Sequence, residues 1–230
     1  MALIGPPRRP EIDYYTIKFL IGAIALSLPT IEFALTGGSI TSISASFWFE
    51  PGVWPRSVLV GFLFAIAAFL LAYNGRSETD MWLAKAASLA AAGIALFPCG
   101  CGDPKREIIP HVHVLFAGVM FAVLAAFCWI FLRRAWAKGH PQAKARATIY
   151  ALCGIGMLGA IALLITSSNR DSEALVFWGE TLGLVSFGIS WLTASRVIPV
   201  ITRPSEREKL FVDSKVPGSA TAVPRSQPAK

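Results

Sequence analysis

Glu32, His111, His113 and Glu180 are the side chains of this sequence best placed to do chemistry. Each lies in or opens a stretch that is otherwise apolar, where a charge costs at least about 2.5–3.5 kcal/mol. Counted from the ends of those stretches, Glu32 sits one turn inside the first and Glu180 about one and a half turns inside the sixth. His111 and His113 open the fourth. All four fall at a similar depth on one side, so one outward-facing polar pocket is expected there. A carboxyl and an imidazole can share a proton or, with a metal, activate a water. Ser44 and Arg56 border the same level, and Cys99, Cys101 and Asp103 hang above it.

Each residue also has a plainer reading. A glutamate near a helix end can snorkel to the headgroups or hold a neighbouring hydroxyl. His113 can cap the helix by bonding a backbone carbonyl. His111 and His113 are two positions apart and point about 200° from one another on a helix, so they ligate one metal only if the helix begins after His111. Cys99-Gly-Cys101 allows a disulfide, pairing between chains, or a soft metal site with His113. A zinc set wants three or four well-placed ligands, and too few are present for a metal to be assigned. Cys128 and Cys153, inside apolar runs, read as small packing residues. His140 lies in a basic loop and reads as solvated.

The elements that must position these groups are six apolar runs: Ile17–Thr36, Ser57–Tyr73, Met81–Phe97, Val112–Leu132, Thr148–Thr166 and Leu175–Ala194. Each has 17 to 21 residues, and about 20 helical residues cross the hydrocarbon core. Period-2 alternation is absent, and backbone inside lipid must bond to itself, so the runs are expected to be helices. The fold class expected is all-α: a polytopic six-transmembrane-helix bundle. Pro29 is expected to kink the first helix below Glu32. Gly179, Gly183, Ser186 and Ser190 form a small-residue stripe on helix six, suited to close packing or self-association. Gly154, Gly156 and Gly159 do the same on helix five. Phe47, Trp48, Phe49 and Trp54 read as an interfacial aromatic belt.

Charge sets the expected orientation. Charged residues are only 15% of the chain, and the net charge is +7. Seventeen of the 21 Lys and Arg fall on one side of the six runs and four on the other. Positive loops stay inside, so both termini are expected in the cytoplasm and the basic loops to face anionic lipid. This distribution argues against nucleic acid as a partner. The first run carries Glu32 and no small-x-small cleavage site, which argues against a cleaved signal peptide. The divisions expected are a cytoplasmic segment over 1–16, a membrane domain over 17–197 and a basic, disordered tail over 198–230. No nucleotide loop, nucleophile elbow, zinc-protease helix or haem attachment motif is present, and no cofactor is expected.

Several segments resemble one family. They are Arg56-Ser-Val-Leu-Val-Gly61, Leu71-Ala-Tyr73-Asn-Gly75, Ala95-Leu-Phe-Pro98, His113-Val-Leu-Phe-Ala117, Ile149-Tyr150 with Cys153-Gly154, Phe177-Trp-Gly-Glu180 and Phe187-Gly-Ile-Ser-Trp191. In order and spacing they look like a family of uncharacterised bacterial membrane proteins, a domain of unknown function. It is distantly similar in helix count to damage-regulated autophagy modulator-type proteins. The resemblance covers nearly all of Ile17–Leu192 and implies a six-helix bundle in a bacterial inner membrane, with Ser44, Arg56, His113 and Glu180 emphasised and no established activity. The Cys-Gly-Cys segment departs from the family pattern. Three functions remain: a non-enzymatic lipid-sensing or partner-binding subunit, a membrane hydrolase or lipid-modifying enzyme using His113 and Glu180 or Glu32, and a small proton-coupled transporter. Membrane lipids, and other membrane proteins, are the partners expected, and the non-enzymatic reading is preferred.

Overall fold

The computed structural model describes residues 13–50, 52–101, 105, 107–170, 172–208 and 210. Among them are six long helices and no strand. Helix α1 spans Tyr14–Leu35, α2 Trp54–Ala72, α3 Glu78–Leu96, α4 Val112–Trp136, α5 Pro141–Arg170 and α6 Glu173–Ala194. Local chemistry starts them. Asp13 caps α1, its carboxylate accepting from the backbone N–H of Tyr15 at 2.8 Å and of Thr16 at 3.1 Å, which satisfies otherwise orphaned donors. Ser77 caps α3 in the same way. Pro55 stands in the first turn of α2, where a missing N–H costs nothing. His111, in the left-handed region at φ 64°, breaks the chain immediately before α4.

Five of the six are long and apolar enough to cross a membrane. The other, α3, matches α2 in length at 19 residues but carries Glu78, Asp80 and Lys85 in its first half. Large apolar side chains such as Trp82, Leu89, Leu115, Trp129, Leu152, Ile155 and Trp178 point outward. In water such a surface would be an aggregation liability; in lipid it is the favourable one. The protein is a multi-pass membrane protein.

Each helix packs on its neighbour in sequence, and α6 returns to α1, so the bundle closes as a ring. Small residues bring the helices together. A Cβ on Gly22 of α1 would lie 2.7 Å from the Leu192 backbone nitrogen and 2.9 Å from the Gly188 carbonyl of α6. On Gly183 a Cβ would lie 1.9 Å from the Phe121 ring of α4, and on Gly179 it would meet Leu164 of α5 at 3.0 Å. The helix-six stripe is therefore occupied by this chain's own helices. Alanines 84, 87, 90 and 91 of α3 are likewise buried. Toward one end the core is aromatic: the Trp191 ring lies 5.2 Å from Tyr73, 5.4 Å from Phe127 and 5.6 Å from Phe187.

The two ends differ. At the base, α1, α3 and α5 begin and α2, α4 and α6 finish; Arg134 of α4 bonds Asp80 of α3 there. At the mouth, residues 36–50 lie over the bundle together with the described residues that join α3 to α4. Residues 198–208, expected to belong to a tail with little to bury, are held at the base. Arg146 donates to the Ile201 carbonyl at 2.7 Å and to Glu206 at 2.8 Å. Lys138 bonds the same carboxylate, and a short 3-10 turn, Pro204–Glu206, presents it. A single acid among basic neighbours anchors this stretch; residues 211–230 lie outside the described ones.

Candidate functional site

The connection between α1 and α2 does not arch away from the mouth. It folds inward as a 3-10 segment, Ser44–Trp48, and its serines at alternate positions face the two acids. Glu180, in the second turn of α6, accepts three hydrogen bonds from this loop. The Ser44 hydroxyl donates to one oxygen at 2.5 Å. The backbone N–H groups of Ile43 and Ser44 donate to the other at 2.5 and 3.3 Å. Charge-assisted bonds of this kind are roughly twice as strong as neutral ones. The carboxylate thus fastens a loop about 136 residues away in sequence to the last helix.

His113 stands at the α4 side, within electrostatic reach of Glu180. Its Nδ1 lies 2.8 Å from the carbonyl of Phe97. A carbonyl only accepts, so Nδ1 carries the hydrogen and Nε2 is the nitrogen left over. Glu32 of α1 is fully buried, and neither carboxyl oxygen has a hydrogen-bond partner among the described residues. Ser46, also fully buried, is the hydroxyl beside it, yet the two do not meet in hydrogen-bond geometry. Ser44 and Ser46 therefore address the two acids from one turn of backbone.

Other residues pin the same loop from outside. Trp48 donates from Nε1 to the Cys99 carbonyl at 2.8 Å. Arg56 donates from Nε to the Phe47 carbonyl at 2.6 Å and lies over the Phe47 ring at 4.7 Å. It does not pair with Glu180. Cys99 and Cys101 are bonded to each other, and Ser42 touches Cys101. His111 is exposed, its backbone N–H held by Glu107 at 2.9 Å. Asp103 lies outside the described residues. Among the described residues no three His, Cys, Asp or Glu side chains gather as a metal set.

The structure thus brings Ser44 onto Glu180 with His113 within electrostatic reach, sets Ser46 of the same loop beside Glu32, and leaves Arg56, His111 and the cysteines at its margin. Sequence reading missed Ser46, the Ile43 N–H and the Phe97 carbonyl. The alternation Ser42, Ser44, Ser46 was a signal for the first; backbone partners leave none. A nucleophilic serine needs its proton taken by a base free to receive it, commonly a histidine between serine and acid. Here Ser44 bonds the acid directly, and that acid is also committed to two backbone donors. Beside the clamp opens a cavity of about 400 Å³, lined by Ser39, Thr41, Trp48, Phe49, Glu50 and Cys101 among others.

The chain matches the family described as Protein of unknown function (DUF998) over residues 50–196. That is well over half of its 230 residues, and the chain belongs to this family. No curated protein and no solved structure matches it.

Proposed function

We propose that this DUF998 chain is a non-enzymatic, lipid-binding protein of a bacterial inner membrane, with both termini in the cytoplasm and the loop-capped mouth as its recognition site. The observation that carries the reading is the set of hydrogen bonds to Glu180. Its carboxylate is spent on shaping the 36–53 loop, so the acid nearest to a serine and a histidine serves geometry rather than turnover. The cavity beside it supports a small polar ligand, since sites for such ligands run from about 300 to 1,000 Å³. Serine, threonine and tryptophan at the membrane surface suit a lipid headgroup, with an apolar body and a wet tip on the aromatic.

A second reading, a proton-coupled carrier, is favoured by Glu32 alone, a buried acid with no hydrogen-bond partner among the described residues. One reconstitution tests both. The chain is placed in vesicles of mixed bacterial lipids, and tightly retained lipid is identified by native mass spectrometry. Headgroup-selective retention is expected in the wild type and is lost in Ser44→Ala and Glu180→Gln, with lipid masses unaltered. A cleaved lipid product made by the wild type and not by His113→Ala would overturn the assignment in favour of a hydrolase. A proton flux that disappears in Glu32→Gln would overturn it in favour of the carrier.

A further inference from the structure

The base of the bundle collects charge of one sign. Lys18 of α1, Arg76 before α3, Arg134 and Lys138 around the end of α4, Arg146 of α5 and Arg196 after α6 line one cavity of about 40 Å³. Membrane topology selects positive charge at helix ends, but it needs cations only at the exposed rim. Lys18 and Arg146 are 5% and 2% exposed. A buried cation demands compensation, so each partner matters.

Four of the six are already engaged. Arg134 grips Asp80 with two bonds, at 2.5 and 2.8 Å. Arg146 and Lys138 share Glu206. Arg76 donates to the hydroxyls of Tyr14 at 3.2 Å and Tyr15 at 3.1 Å. Lys18 and Arg196 have no carboxylate and no hydrogen-bond acceptor among the described residues. Lys18 is ringed instead by aromatic faces, its Nζ 4.9 Å from Tyr14, 5.4 Å from Tyr73 and 5.2 Å from Phe131. Arg196 lies 5.2 Å over Tyr15. Its backbone is left-handed, at φ 58°, just past the end of α6, where helices favour glycine. An arginine held there in spite of its Cβ keeps a guanidinium on the cavity.

Six cations and two spent carboxylates leave a positive surplus around a small void. A guanidinium and an amine lining one void suit an oxyanion. Size narrows the class. A single water needs about 10–15 Å³ measured the same way, so the void admits a group of a few atoms and excludes a nucleotide or an acyl chain. We propose that the cavity at the base binds a phosphoryl group, with Lys18 and Arg196 meeting its charge. The headgroup of an anionic lipid and free phosphate present the same chemistry there.

The test is the melting temperature of the full-length chain in neutral detergent. It is read against sodium phosphate, against sodium chloride at matched ionic strength, and against short-chain phosphatidic acid with short-chain phosphatidylcholine as control. The melting temperature is expected to rise with phosphate, with phosphatidic acid, or with both. Phosphate alone assigns a free anion, and phosphatidic acid alone assigns a lipid. The half-maximal concentration should rise by about tenfold or more in Lys18→Gln and Arg196→Gly, as for loss of a charged contact, and stay unchanged in Lys144→Gln, an exposed cation of the same end. Arg196→Gly relieves the left-handed backbone, so it keeps a folded variant in the comparison. No rise beyond matched chloride, or the same response in Lys18→Gln and Arg196→Gly as in the wild type, overturns the site.

Discussion

Glu32 and Glu180 are the same residue type at a similar depth, and their surroundings separate them. Among the described residues Glu180 receives three donors and Glu32 receives none. Removing one partner of a buried hydrogen-bonded group costs about 1–3 kcal/mol. Glu180→Gln keeps one oxygen for the two backbone donors but turns its NH2 toward the Ser44 hydroxyl and removes the charge that strengthens all three bonds, so it should lower the melting temperature in detergent by that scale. Glu32→Gln breaks no bond and should leave the melting temperature unchanged or higher. Equal losses in both variants would count against the clamp. The depth of both acids was legible in the sequence, because charge within an apolar run stands out. Their partners were not, since the rotation of one helix about its axis relative to a loop far away in sequence leaves no local trace. Arg56 shows the limit: its reach suggested Glu180, and the nearer Phe47 carbonyl takes it instead.

At the scale of elements, the 198–208 segment depends on one carboxylate. Partial burial alone would raise the pKa of Glu206, but the bonds from Lys138 and Arg146 outweigh it and lower the value from 4.5 to about 2. His140 faces the same carboxylate at 3.5 Å. A group whose pKa is depressed by folding adds stability above its ordinary pKa and loses it as pH falls toward the folded value. The segment should therefore stay attached at pH 5 and above and loosen as the pH drops from about 4.5 toward 2. Limited pepsin digestion should cut near 203–208 increasingly over that window, whereas in Glu206→Gln it should cut equally well at pH 4.5. Helix existence was readable from the apolar runs, but helix length was not. α5 starts at Pro141, two turns before the run that begins at Thr148, because Lys144 and Arg146 extend it along the base where lipid no longer sets the pattern. The anchored tail was hidden because composition reports how little a segment can bury, not which single ion pair holds it.

For the whole molecule, orientation and architecture rest on different evidence. The ring of six helices follows from packing, whereas the sidedness proposed above rests on the 17-to-4 division of Lys and Arg. Thr41 and Lys144 are both exposed and lie at opposite ends of the bundle. In intact cells an impermeant maleimide should label Thr41→Cys and reach Lys144→Cys only after lysis. Labelling with the reverse preference would invert the bundle and place the basic cavity outside. The closed ring itself could not be read from the sequence. Six helices allow many arrangements, and glycines at 22 and 188 point to close approach without saying that they approach each other.

The seam where Gly22 meets Gly188 joins the first helix to the last. A nascent chain makes α1 long before α6 exists, so the face of α1 that the backbone of α6 will cover waits through the insertion of four other helices. Lipid fills it in the meantime and must be displaced when the seam forms, which makes closure the late step of biogenesis. Any interruption within α6 leaves α1 without the helix that its Gly22 face packs against. The same geometry means that damage to α6 is felt at α1.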